Sequence, residues 1–429
     1  METTTHRVDG HDVHEHTLSV PIEHAQPELG TITVFARELV REGGADRPRL
    51  LWFQGGPGHR AHRPASIDGW LDRALQDYRV VLLDQRGTGL STPANRQTLP
   101  QVGNPEAQAA YLAAFRADSI VDDAETLRQG LGVDTWTVLG QSYGGFLITA
   151  YLSRAPHGLH EAMITAGLPA LRAHADETYR ATYRQTALRN LEYFARYPQD
   201  EAVAQDIATH LDNETEVLPT GERLSSRRFR QLGLNLGSAA GFEVLHHLLQ
   251  SPFTTVGGQR RLRDQVLVDA SAHLSFAADP LYALMHETIY AQGSATGGAT
   301  AWSAHRVRQE FPEFSLEAEG PPFRFTGEHI YPWQFEEDPA LIPLREAADV
   351  LAHREDFPVL YHPDVLAENE VPLAAAIYYD DMFVPREGSL ATAATIRGTR
   401  PLITNAYQHD GLRVDGYQLL DRLIATLRR

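Results

Sequence analysis

Four continuous apolar runs, each closing on a tight turn, constrain this 429-residue chain more than any other feature. They sit in RPRLLWFQGGPG (ending at Gly58), in YRVVLLDQRGTG (Val80 to Leu83), in WTVLGQSYGG (around Ser142) and in HEAMITAGLPA (before Leu171). Unbroken runs of this length predict strands buried on both faces, as in a parallel sheet. Helical stretches such as SIVDDAETLRQGLG, Ser119 to Gly132, lie between them. Alternation of strand and helix predicts a doubly wound α/β sheet. Upstream, TLSVPI and GTITVFARELV within residues 10–40 alternate apolar and polar positions and predict antiparallel strands.

The texture changes near Leu171. Residues 171–345 are rich in Arg, His, Leu and aromatics at helical spacing, as in ETYRATYRQTALRNLEYFARY and GFEVLHHLLQ, without buried-strand runs. A Gly/Ala/Ser/Thr stretch, AQGSATGGAT, interrupts them at 291–300. The prediction is a mainly helical cap domain, 171–345, inserted into a catalytic domain made of 1–170 and 346–429. The sheet resumes with VPLAAAIYYDDMFVP and RPLITNAYQHDG, and VDGYQLLDRLIATLRR closes the chain as an amphipathic helix. The length suits a large domain carrying an insertion, and 42% apolar residues are enough for a sizeable core.

Acidic residues outnumber basic ones 56 to 38, a formal charge of −18, so the average field repels phosphate and argues against nucleic acid or anionic membranes as partners. The absence of cysteine excludes disulfides, thiolate metal sites and a cysteine nucleophile. The N-terminus, METTTHRVDGHDVHEH, lacks an apolar signal-like region, and no uncharged apolar run approaches the roughly 20 residues of a membrane span. A cytoplasmic enzyme is predicted.

Gly140-Gln141-Ser142-Tyr143-Gly144 matches G-x-S-x-G at a strand-to-helix turn. A nucleophile placed there projects its hydroxyl above the sheet, and the strained turn needs small neighbours. Serine requires a base, and the base an orienting acid, in the chain order Ser, Asp, His on loops after late strands. AAAIYYDDMFVP offers Asp380 and Asp381; LITNAYQHDG offers His409. An oxyanion hole needs two backbone donors. The N–H of Tyr143 is one, and Gly56 in FQGGPG is the choice for the other, because glycine permits close backbone approach.

Together GGPG with Pro64, DQRGTGLS (Asp84 to Ser91) and GQSYGG resemble the proline iminopeptidases, the prolyl aminopeptidase group of α/β-hydrolase serine peptidases. Length, insertion and the cap segments LMHETIYAQG and FTGEHIYPWQFE are similar to the larger bacterial members. Gln54 is a departure, standing where smaller members often carry His. The resemblance implies an α/β-hydrolase fold with a mostly parallel sheet, helices on both faces and a large helical cap. It also implies release of N-terminal proline from short peptides, with no metal or cofactor. The family's D-x-x-x-P pattern selects Asp381, before Pro385, as the acid. Cap glutamates bind the substrate amino group in the family, which points to Glu287 and Glu328. Tyr290, Tyr331, Trp333 and Phe335 are then either pocket walls or core, Met285 is core, and Asp84 and Arg86 are expected to pair behind the GGPG turn. The scaffold leaves two alternatives, an esterase, amidase or other aminopeptidase, and a non-catalytic binding protein. Oligomeric state is not readable from the sequence.

Overall fold

The computed structural model describes residues 1–315 and 322–428. Its centre is a sheet of nine strands: β1 (Glu2–Val8), β2 (His11–Pro21), β3 (Thr31–Arg41), β4 (Arg49–Phe53), β5 (Arg79–Asp84), β6 (Trp136–Gln141), β7 (Leu159–Thr165), then β10 (Leu373–Tyr378) and β11 (Thr399–Thr404). A separate hairpin of β8 (Phe253–Val256) and β9 (Gln259–Leu262) lies within the insertion. The sheet order is β1-β2-β3-β5-β4-β6-β7-β10-β11. The first three strands pair antiparallel, β3 meets β5 antiparallel, and every pair from β5 to β11 is parallel.

The apolar runs are buried on both sides because successive side chains face opposite layers. In β4, Leu51 and Phe53 enter one core, where the helices Ala117–Gly130 and Tyr143–Arg154 pack, while Leu50 and Trp52 enter the other. That second layer is closed by Gly69–Asp77 and Gly416–Leu427, which contribute Leu71, Leu75, Leu419 and Leu423. The expected α/β-hydrolase architecture is observed. Three strands were not foreseen: β1, ETTTHRV, which is exposed along its whole length and carries no apolar signal, and β8 and β9, the hairpin within the insertion.

The insertion lies between β7 and β10 and is mainly helical, with its own core around Tyr193, Ile207, Leu236, Leu245 and Phe325. Yet Leu281, Leu284, Met285, Ile289, Ile330 and Phe335 join the core beside the sheet. In return Met382 and Phe383, from the loop after β10, join the core of the insertion. The two units share packing on both sides of their junction.

Candidate active site

β6 ends directly at Ser142, and the helix Tyr143–Arg154 starts at the next residue. Ser142 holds φ 57° and ψ −126°, a conformation an L-residue adopts only under constraint. The constraint is visible. The Ser142 N–H donates to the Thr165 carbonyl at 3.0 Å, and the Ser142 carbonyl accepts from Gly145 N–H at 2.8 Å. At Gly144 a Cβ would stand 2.1 Å from the Phe53 carbonyl oxygen, so the helix seats against β4 only with glycine there. Ser142 is 9% exposed, opening onto a cavity of about 580 Å³ between sheet and cap.

His409 and Glu328 line the same cavity. His409 follows β11; its N–H donates to the Gly237 carbonyl of the cap at 3.1 Å, and its carbonyl accepts from Gln141 Nε2 at 3.3 Å. Its Nδ1 lies 2.8 Å from Asp381 Oδ2 and 3.1 Å from Oδ1. Asp381 is buried, and its Oδ1 also accepts from the N–H groups of Phe383 at 2.8 Å and Val384 at 3.1 Å. The Phe383 ring meets the imidazole edge to face at 4.9 Å. Burial acts to lower the His409 pKa. The Asp381 carboxylate, then Glu328 and Asp410, outweigh it, and the imidazole titrates above its ordinary value. Asp380 is half-buried, its backbone carbonyl accepts from Gln185 Nε2, and among the described residues its carboxylate makes no hydrogen bond or ion pair to His409.

The loop after β4 runs against the elbow. Gly55 comes so near that a Cβ would stand 3.0 Å from Ser142 Cβ, and Gly56, at φ 138°, lines the cavity beside it. Gln85 Nε2 donates to the Gln54 carbonyl at 2.7 Å and supports this turn. The expected Asp84–Arg86 pair is corrected. Asp84 instead accepts from Arg63, the Ala61 N–H at 3.0 Å and the Leu90 N–H at 2.9 Å, bracing the segment after GGPG. Arg86 points the other way, onto Asp123 and the carbonyls of Ile22 and Ala114. The backbone turns between the two side chains, so they serve different layers.

The two cap glutamates separate sharply. Glu328 accepts from Tyr282 Oη at 2.5 Å and lies 3.9 Å from His286 Nε2. Burial pushes its carboxyl up to about 7, against the opposing influence of His409 and the Tyr282 hydrogen bond. Glu287 is corrected as a substrate ligand: it is absent from the cavity wall, and its carboxylate accepts from the N–H groups of Ser303 at 3.0 Å and Ala304 at 2.9 Å. It closes the N-terminus of the helix Ser303–Arg308, where an anion complements the free donors.

The four aromatics resolve to core. Tyr331 exchanges a hydrogen bond with Tyr183 at 2.8 Å and stacks on Trp333; Phe335 packs on Trp302; Tyr290 packs between Phe146 and Tyr179. None of them lines the cavity, whose aromatic wall is Trp52, Trp70, Phe276, Tyr282 and Phe383. Sequence reasoning missed this wall. Tyr282 stands two residues before LMHETIYAQG, the segment that drew attention to Glu287, and only tertiary packing shows which side chain turns inward.

A serine held in a strained elbow above a parallel sheet, on loops at the strands' carboxyl ends, defines an α/β hydrolase, and residues 48–251 match the α/β hydrolase fold family. A curated proline iminopeptidase of Aeromonas sobria is 46% identical over 433 residues, covering 100% of both chains. A second, from Aspergillus aculeatus, is 33% identical over 96% of this chain and 92% of its own. The chain belongs to the proline iminopeptidase family. A solved proline iminopeptidase structure from Mycobacterium smegmatis, 16% identical, covers 100% of this chain and 98% of its own with a TM-score of 0.42. No helix among the described residues is long and apolar enough to cross a membrane.

Proposed function

We propose that this chain is a serine exopeptidase that releases proline from the N-terminus of short peptides, and that Ser142, His409 and Asp381 carry the reaction. Ser142 attacks the prolyl carbonyl while His409 takes its proton. Asp381, held by two backbone N–H groups, fixes the imidazole tautomer and stabilises its cation. The N–H groups of Tyr143 and Gly56 stabilise the developing oxyanion, a contribution of roughly 3–4 kcal/mol per donor. His409 returns the proton to the leaving amine, and water hydrolyses the acyl-enzyme.

The observation that supports exopeptidase action is Glu328, a half-buried carboxylate facing the same cavity as Ser142. A free amino group bound beside the scissile bond is a cation in a partly desolvated site and needs such a partner. An internal peptide bond or a blocked terminus brings no cation. The test compares a prolyl amide with its N-acetylated form. The wild type cleaves the first and refuses the second, Ser142→Ala loses turnover by several orders of magnitude, and a fluorophosphonate labels Ser142. Efficient cleavage of the acetylated substrate would replace this reading by a general amidase or esterase.

A further inference from the structure

The chain contains no lysine, so its permanent side-chain cations are all arginines. Among the described residues Arg413 is the one arginine lining the cavity. Among the described residues its guanidinium has no hydrogen-bond or ion-pair partner. The acids around it are occupied. Asp410 accepts from the Ala239 N–H at 3.1 Å on both oxygens, Asp68 accepts from Ser66 Oγ at 2.5 Å, and Asp279 lies 4.0 Å from His59. Burial first, and the Arg413 charge in addition, disfavour protonation of His59 and His62 against the pull of Asp279 and Asp68. Arg413 is thus the cation of this rim, and it is unused.

Its place relative to the reacting atoms follows from the chemistry. The leaving amine must lie on His409, which returns a proton to it. The substrate amino group lies on the other side, at Glu328 and Tyr282 beneath the cap. The peptide beyond the scissile bond therefore departs past the residues that follow His409. These form a short turn, Gly411–Val414, seated where a Cβ on Gly411 would stand 2.4 Å from Tyr378 Oη. Gly416 packs against Trp70, which stacks on Trp52 at 4.5 Å, and Trp70 and Leu412 give this side an apolar wall.

We propose that Arg413 anchors the C-terminal carboxylate of the substrate, so that the cavity takes free prolyl dipeptides and tripeptides in preference to the ends of longer chains. The proposal rests on the exopeptidase reading above. A guanidinium matches a carboxylate as a two-pronged donor. In a chain of net charge −18, a carboxylate entering the cavity needs a local cation to offset the average field. Because the residue is exposed, the effect is modest and falls with added salt.

The experiment measures kcat/KM for Pro-Ala and for its C-terminal amide in the wild type, R413M and R413K. Taking the acid-to-amide ratio within each variant cancels any loss of folded enzyme. The expected ratio is about ten in the wild type, intermediate in R413K and near one in R413M, with the change carried by KM. Equal rates for acid and amide in the wild type, or a wild-type ratio in R413M, overturn the proposal. Proline 4-nitroanilide, which has no carboxylate, separates the two levels. If the wild type fails to cleave it, the exopeptidase reading falls and this proposal with it. If it is cleaved while the acid-to-amide ratio is one, only the carboxylate anchor falls.

Discussion

Asp380 and Asp381 are neighbours in the chain and opposites in environment. Asp381 is buried, accepts from two backbone N–H groups and meets His409, whereas Asp380 is only half-buried and gives its backbone carbonyl to Gln185. Asp381→Asn is expected to lower kcat by about 10⁴-fold, while Asp380→Asn stays within about two-fold, the range of an ordinary surface change. Steady-state kinetics of the two variants side by side decide it, and the reverse ranking would move the acid by one residue. Glu328 is a different case, since its cost appears in stability. Its carboxyl titrates at about 7 when folded, against an ordinary 4.5 when unfolded. Between those values the folded state holds a proton that the unfolded state has released, so stability falls as pH rises through this window. Above it the loss approaches about 3 kcal/mol, an order-of-magnitude figure for a shift of this size. Glu328→Gln should therefore melt higher than the wild type at pH 8 and converge with it below pH 4.5. The same variant should raise KM for prolyl amides, and the wild-type kcat/KM should climb with pH through the region near 7, where Glu328 loses its proton. A Glu328→Gln protein that melts lower than wild type at pH 8 contradicts a carboxylate whose charged form is disfavoured in the fold.

Elements differ in how plainly the chain announces them. β4, β5, β6, β7 and β10 are legible because burial on both faces leaves unbroken apolar runs, and the Ser142 elbow because its turn cannot be built without small residues. β1 and the β8–β9 hairpin are silent because exposed strands need only backbone pairing. Glu287 and Glu328 sit in similar polar and aromatic company, and what separates them is which backbone donors arrive from elsewhere: Ser303 and Ala304 come to the first, none to the second. Arg413 was overlooked for the same reason, since nothing local marks a charge that lacks a partner. One junction of elements carries a prediction. Gly237, at the end of a cap turn, gives its carbonyl to the His409 N–H, and a Cβ there would stand 2.1 Å from the Phe383 ring. That ring contacts His409 and follows Asp381 by two residues. Gly237→Ala should displace the Asp381–His409 pair and lower kcat by about ten-fold or more, in keeping with the sensitivity of catalysis to small misplacements, with KM changed less. Unaltered kcat would show that the cap turn does not hold the imidazole.

At the scale of the whole molecule the insertion helps to build the candidate site. The cap supplies Glu328 to the cavity, the Gly237 carbonyl to His409, and the apolar surroundings of Met382 and Phe383 beside Asp381. The sheet in turn receives Leu281, Leu284, Met285 and Ile289 from the cap, each at most 6% exposed. Burying a side chain of this kind is worth about 1.5–3 kcal/mol. Losing these four removes on the order of 10 kcal/mol, comparable to the full stability of an ordinary domain. A chain with residues 171–345 replaced by a short linker should therefore fail to fold into a stable hydrolase core, even though all nine strands of the sheet remain. The control keeps 280–291 and 330–344 in place and substitutes polar residues for Leu245 and Leu248 in the core of the cap. That variant should keep the sheet, seen as protected amides in hydrogen exchange at Leu50–Phe53 and Val80–Leu83, while kcat falls because the loop bearing Asp381 loses its packing. A linker variant that folds cooperatively with a wild-type exchange pattern would show the cap to be a detachable lid, and the shared core to be contact without consequence.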